Sequence, residues 1–322
     1  MQHVFSGAAI VLAAVTLTST GAFAQAYPTK PIRIFVGYAP GGGTDIMART
    51  VAAKLTESMK QQVIVDNRPG ANGNVAAKIA AGSPADGYTV LFMSVAHIMS
   101  KPVYSNLGYD IERDLAPITV VSSVPNAFCV HPTLPVRTVK DMIALAKSRP
   151  GHVTYATAGV GSPEHFAGEM FKMMTRTNLL AIPYKGGGPI AIDLVAGHVM
   201  SSFNTMPPII PHIRSGRVRA LAVTTEKRAA VLPDVPTVAE TVPGYAMSTW
   251  YGAVVPAKTP SEIVTRLNQE MLKALALPDV KERLASLGAD IVASSPAETA
   301  SFFKTELAKY TKVAKAANIR AD

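Results

Sequence analysis

Three times in this chain a short strand-like run ends in a glycine-bearing turn that opens straight into a helical pattern, and this repetition restricts the fold more than any other feature. The first run is Ile32–Val36, followed by Gly37-Tyr38-Ala39-Pro40-Gly41-Gly42-Gly43-Thr44-Asp45. Met47, Val51, Leu55 and Met59 then fall four apart, one face of an amphipathic helix. The second turn is Ala156-Thr157-Ala158-Gly159-Val160-Gly161-Ser162-Pro163-Glu164-His165, between the run 153–155 and a helix carrying Phe166, Met170 and Met173. The third, Pro183-Tyr184-Lys185-Gly186-Gly187-Gly188-Pro189, follows the run 179–182. Strands separated by helices of this length predict a parallel, doubly wound α/β sheet.

The rest of the chain keeps the rhythm. Runs at 63–65, 89–93, 128–130, 199–203, 218–223 and 250–255 read as strands, and helices are expected at 138–148, 163–176, 189–196 and 207–215. An alanine-rich helix should end near Gly82, and residues 260–317 look almost wholly helical, with Leu267, Met271 and Leu275, then Phe302, Glu306 and Tyr310, spaced by four. With 322 residues, 48% of them apolar, the chain can fill two cores, and no long linker separates two independent halves. A hinged, two-lobed α/β protein is expected, each lobe a doubly wound sheet flanked by helices, with a cleft where strand ends meet helix starts.

Composition removes several function classes. The excess of 31 Lys and Arg over 22 Asp and Glu gives a formal charge of +9, but these residues are scattered singly, which argues against nucleic acid. A diffuse positive surface instead speeds encounter with small anions. Cys129 is the single cysteine, so no intramolecular disulfide is possible, and its apolar strand makes it an inert core residue. Seven scattered histidines offer no metal-ligand spacing, and no cofactor fingerprint occurs. Met170, Met173 and Met174 read as core. At the N-terminus, residues 4–20 are apolar or small and uncharged, and Ala22-Phe23-Ala24 precedes Gln25, which predicts a secretory signal over residues 1–24 cleaved after Ala24. Its n-region, Met1-Gln2-His3, lacks the usual Lys or Arg.

The three turns carry the chemistry. Glycines let the backbone point several N–H groups at one place, and a helix start adds partial positive charge, so each turn suits an anion. Thr44 or Asp45 is the expected N-cap of the first helix, and Ser162 with Pro163 at N1 marks the second. The first turn is not a nucleotide loop, since it has neither G-K-[ST] nor G-x-G-x-x-G. His165 sits by a helix start without a nucleophile or acid partner, which leaves a triad unsupported. His97, after the third strand, reads as a cleft or a packed residue, and Asn204, after the strand ending at Phe203, as an amide contact.

In this order the motifs resemble the Bug-type receptors, the periplasmic substrate-binding proteins of tripartite tricarboxylate transporters. The matching segments include Ala39-Pro40-Gly41-Gly42-Gly43-Thr44-Asp45 with Ala48-Arg49, Asn67-Arg68-Pro69-Gly70-Ala71, Asp86-Gly87-Tyr88-Thr89 and Gly159-Val160-Gly161-Ser162 with His165. Further on come Pro183-Tyr184-Lys185-Gly186, Leu232-Pro233-Asp234-Val235-Pro236-Thr237, Trp250-Tyr251-Gly252 and Pro256-Ala257-Lys258-Thr259-Pro260. The sequence departs at Ala71-Asn72-Gly73-Asn74, where the family usually has Ala-Gly-Gly, and this touches a turn beyond the second strand.

The resemblance implies a type II periplasmic binding protein fold without catalytic activity, metal or cofactor. Residues 25–126 and 247–322 would form lobe 1, and residues 127–246 lobe 2. A ligand carboxylate would be held by Tyr38, Ala39, Gly41, Gly42, Gly43, Thr44 and Asp45 from one side and Thr157, Ala158, Gly161, Ser162 and His165 from the other. Ser94, His97, Lys185 and Asn204 would meet the far end of the ligand. Dicarboxylates, amino acids and aromatic acids all satisfy this logic. The partners implied are such a carboxylate and membrane transporter subunits, the protein acting as a periplasmic monomer. Two other roles compete: a ligand-sensing receptor for a two-component system, and an α/β enzyme acting on a small acid.

Overall fold

The computed structural model describes residues 27–321, so the expected leader and its cleavage site lie outside the described residues. In chain order the strands are β1 (Ile32–Val36), β2 (Val63–Asn67), β3 (Thr89–Ser94), β4 (Leu115–Val130), β5 (Val153–Thr157), β6 (Leu179–Pro183), β7 (Ser201–Thr205), β8 (Arg219–Val223), β9 (Ser248–Pro256) and β10 (Asp290–Ile291). The helices are α1 (Gly43–Met59), α2 (Asn74–Ala81), α3 (Ala96–Ser100), α4 (Val139–Ser148), α5 (Pro163–Thr175), α6 (Gly187–Ala196), α7 (Met206–Arg214), α8 (Ser261–Ala276), α9 (Pro278–Ser286) and α10 (Pro296–Ala316).

The strands join in the order β2-β1-β3-β9-β4-β7-β5-β6, with β8 and β10 also paired to β4. The βαβ units close parallel pairs, β1 with β2 and β3 on one side, β5 with β6 and β7 on the other. The expectation of a purely parallel sheet fails at the centre, where β9 runs antiparallel to both β3 and β4, and β7 and β8 run antiparallel to β4. The sheet is therefore mixed. Residues 115–125 of β4 pair with β9, and residues 126–130 pair with β7 and β8. One strand thus runs through both halves.

Only the last three residues of β4 are anticipated from the sequence. Pro117 lies at one shift of the β4–β9 register, and such a bulge accommodates a proline that has no N–H to give a ladder. The tail is almost wholly helical as expected, broken where the two-residue β10 adds to β4 ahead of α10, which starts at a Ser295 capping box.

Periodicity correctly identifies the buried faces. Met47, Val51, Leu55 and Met59 of α1 are all buried, as are Leu267, Met271 and Leu275 of α8. Glu306, the polar member of the α10 stripe, is buried because Trp250 Nε1 on β9 donates to its Oε2 at 2.8 Å. Trp250 also stacks on Phe303 at 5.2 Å, so α10 is bolted across the central strands. Cys129 is fully buried, and burial raises its thiol pKa far above the range of a reactive cysteine. Met173, expected in the core, is 46% exposed; Met170 and Met174 on the same helix are partly buried.

Candidate functional site

The starts of four helices line one small cavity of about 20 Å³. Gly42, Gly43 and Thr44 come from the β1–α1 turn, Ala158, Pro163 and Glu164 from the β5–α5 turn, Gly187 from the start of α6, and Thr205 from the residue preceding α7. Tyr38, Ser94, Thr249 and Tyr251 complete the wall. At the starts of α1, α6 and α7 no side chain caps the helix, so the first-turn N–H groups of Gly43, Thr44 and Asp45, of Gly187 and Gly188, and of Met206 are left for something else; Pro189, Pro207 and Pro208 have none to give. Of the four, only α5 is side-chain capped, by Ser162, whose hydroxyl accepts from His165 N at 3.2 Å. Among the twelve lining residues there is no Lys, Arg or His. The charge complement for an anion is therefore supplied by main-chain dipoles alone.

Asp45 and Thr44 do not cap α1 as the sequence suggests; the extended residue before the helix is Gly42. Asp45 instead turns back along the loop. Its carboxylate accepts from Gly41 N at 2.9 Å, from Arg49 Nε at 2.9 Å and from Asn67 Nδ2 at 2.9 Å. These donors outweigh burial and hold the Asp45 pKa below the usual carboxylate value. Gly41 adopts φ +79°, a left-handed conformation that glycine enters without strain, and this shapes the turn that Asp45 fastens.

Two glycines are fixed by close approach instead. A Cβ on Gly43 would sit 2.1 Å from Tyr251 Oη, and one on Gly188 would sit 2.8 Å from Pro40 O. The β1–α1 and β6–α6 turns therefore meet backbone to backbone, and Ala39 N donates to Lys185 O at 2.9 Å across that contact. A second bridge is Tyr104 Oη donating to Val160 O at 2.9 Å. These contacts draw the cleft shut.

The remaining anticipated residues are spread around this centre. Thr157 is buried beneath its turn, where its hydroxyl accepts from Gly159 N at 3.2 Å. Gly161 faces Asn72, Val103 and Tyr104. The His165 ring lies 3.8 Å from Glu169 and beside Gly161 N, so it braces the second turn rather than entering the cavity. Asn204 is buried under α6, its Nδ2 donating to Gly187 O at 3.1 Å and its Oδ1 without a partner. Lys185 is exposed on an adjoining outer hollow of about 240 Å³ that shares Tyr38 and Ala158 with the inner cavity.

His97 does not line the inner cavity. It is fully buried edge-on to Tyr38, with ring centres 6.4 Å apart, and its Nε2 is unpartnered. Burial lowers its pKa to about 4, which keeps the imidazole neutral. Asn72, the departure from the family pattern, takes up a left-handed conformation at φ 55° and accepts from Tyr38 Oη at 3.1 Å. Its amide donates to Ser100 Oγ at 3.2 Å, so this asparagine fixes the tyrosine in the cleft wall.

Glu164, Thr205, Thr249 and Tyr251 line the cavity but are not singled out by sequence reasoning. Glu164 Oε2 and Tyr251 Oη are buried without a hydrogen-bond partner, and both belong to this wall. Buried polar atoms are rarely left so, and here they mark where a guest would complete the bonding. The signal for Tyr251 is a hydroxyl-bearing residue inside the otherwise apolar run Trp250-Tyr251-Gly252-Ala253. For Thr205 it is a position directly between a strand and a proline-bearing helix start.

No group of three or more His, Cys, Asp or Glu residues able to hold a metal occurs among the described residues, and no described helix is long and apolar enough to cross a membrane. A profile described as "Tripartite tricarboxylate transporter family receptor" matches residues 47–319. Protein BugT of Bordetella pertussis is 36% identical over 293 residues, covering 90% of each chain. Among solved structures, R. palustris Rpa4515 with adipate is 38% identical at a TM-score of 0.88, covering 91% of this chain and 99% of that one. Periplasmic binding protein BugD is 31% identical at 0.89, with 91% and 99% covered. MatC from Rhodopseudomonas palustris with bound malate is 27% identical at 0.86, with 89% and 99% covered.

Proposed function

Because the chain belongs to the tripartite tricarboxylate transporter receptor family, we propose that it is a periplasmic clamp that holds a small organic carboxylate where α1, α5, α6 and α7 begin, and presents it to a membrane transporter. The protein is a solute-binding receptor and not an enzyme. It acts as a single chain after cleavage behind Ala24, with residues 25–126 and 247–322 as one lobe and 127–246 as the other. Support for that division comes from β4, whose pairing changes from β9 to β7 and β8 after residue 125. The ligand's carboxylate meets the turns holding Tyr38, Gly42, Gly43 and Ala158, and the rest of the molecule extends into the outer hollow beside Lys185. Relatives of this fold solved with adipate and with malate support a ligand carrying a second carboxylate, for which Lys185 is the available cation.

The observation that carries the reading is the convergence of four helix starts, three of them uncapped, on a cavity lined by no cation. Micromolar capture needs about 8 kcal/mol. A helix terminus contributes roughly 0.3–1 kcal/mol, about 2 when partly buried, and a hydrogen bond to a charged group roughly 1.5–3. Four termini with several N–H donors reach that range once closure has excluded water. An open groove would not.

A thermal-shift screen of carboxylates, neutral sugars and amines on the purified protein tests this. Carboxylates should raise the melting temperature by mass action, about 2.7 kcal/mol at a ligand concentration one hundred times Kd. If sugars or amines stabilise the protein while carboxylates do not, the proposal is wrong.

A further inference from the structure

The cavity that receives the anion already contains a carboxyl group of its own. Glu164, in the first turn of α5, is 3% exposed, lines the cavity, and leaves Oε2 without a partner. No cation is there to neutralise it. Arg49 is engaged by Asp45 and Asn67 on the far side of the first turn. Lys185 lies on the outer hollow. The ring of the neighbouring His165 is turned toward Gly161 and Glu169, Lys172 is paired with Glu169, and neutral His97 is packed against Tyr38. The other titratable groups facing Glu164 are the hydroxyls of Tyr38 and Tyr251, whose pKa values burial raises, so both remain donors.

Two ionised carboxylates cannot share so small a space without a counter-charge. We propose that Glu164 is the neutral acid in the liganded cleft and donates a hydrogen bond from its carboxyl to the ligand's carboxylate, so that capture of the anion takes up one proton from solvent. This rests on the carboxylate reading above and adds a residue that sets both affinity and its dependence on pH. Burial already pushes the Glu164 carboxyl up to about 7, against the opposing pull of its own N–H, the Ser162 hydroxyl and the Ala158 and Thr205 N–H groups. A second negative charge raises it further.

Isothermal titration with adipate and malate at pH 6.5, 7.5 and 8.5, where both ligands are fully ionised, provides the test. Above the Glu164 pKa the dissociation constant should rise by up to about tenfold per pH unit, and pairs of buffers with different ionisation enthalpies should report uptake of about one proton at pH 8.5. Glu164→Gln keeps a neutral donor at this position and cannot titrate, so its dissociation constant should stay flat from pH 6.5 to 8.5. Wild-type affinity that is flat over this range, or a folded Glu164→Gln that loses binding more than about thirtyfold at pH 6.5, would overturn the proposal. The latter would mean that an ionised Glu164 reads an ammonium or hydroxyl donor on the ligand. If no carboxylate binds at any pH, the receptor reading fails and takes this inference with it; pH-independent binding removes the inference alone.

Discussion

Replacing Gly188 with alanine should hold the clamp open without damaging either half of it. Gly188 is in the first turn of α6, and its φ is not in the left-handed region, so alanine suits its backbone. What alanine does not suit is the opposing turn. Its Cβ would lie 2.8 Å from Pro40 O, 3.0 Å from Gly41 C and 3.1 Å from Gly42 N, all main-chain atoms that no rotamer change can move aside. Restoring ordinary contact near 3.4–4 Å requires the turns to part by several tenths of an ångström. That also stretches the 2.9 Å bond from Ala39 N to Lys185 O.

Overpacking of this kind costs about 1–3 kcal/mol. Because the strain exists only when the turns meet, it falls on the closed form, and Kd for a bound dicarboxylate should rise about 5- to 150-fold. Stability without ligand should hold or improve, since Gly→Ala within a helix gains roughly 0.5–1 kcal/mol. Titration calorimetry gives Kd, small-angle scattering follows compaction on ligand addition, and thermal melting reports stability. Wild-type affinity with normal compaction would show that the turns do not meet in the liganded state. A melting temperature several degrees lower would place the clash within one half and defeat the reasoning equally.

Other outcomes follow from the cavity wall. Tyr251→Phe removes a buried hydroxyl that has no partner in the structure, so ligand affinity should drop about 10- to 100-fold while stability is kept; equal loss of both would assign the hydroxyl a structural role. Asp45→Asn weakens the fastening of the first turn to Arg49, and both binding and stability should fall, the latter by about 1–3 kcal/mol in urea melts; an unchanged Kd would separate the turn from the site. His97 has a folded-state pKa near 4, below its unfolded value, so on acidification the unfolded chain takes up a proton that the folded one refuses. Stability should fall between pH 6.5 and 4, by about 2–3 kcal/mol at pH 4.5 from this residue, and His97→Gln should flatten that slope. Identical urea midpoint shifts in variant and wild type would refute it.

What could be read from the sequence is local. The glycine turns, the Ser162 cap and the buried faces of α1 and α8 follow from spacing within about ten residues, and they are found where expected. The cavity is not local. Thr205 and Tyr251 reach it from strands far along the chain from Gly43, and no pattern around them records that meeting. Lys185 and His97 attract attention through residue type, but side-chain chemistry does not reveal that one stands at an outer rim and the other behind a tyrosine. Glu164 is hidden differently: an acidic residue in the first turn of a helix reads as favourable to the dipole, and only the enclosing walls turn it into a buried acid.

The sixteen-residue strand β4 bears on how the molecule comes apart. Because it is hydrogen-bonded to β9 at one end and to β7 and β8 at the other, neither half can be excised without stripping a strand from its neighbours. The molecule should melt in one transition, with no window in which one half survives alone. A guest gripped in the cleft would then protect distant segments such as α10 from exchange and proteolysis, although it touches none of them.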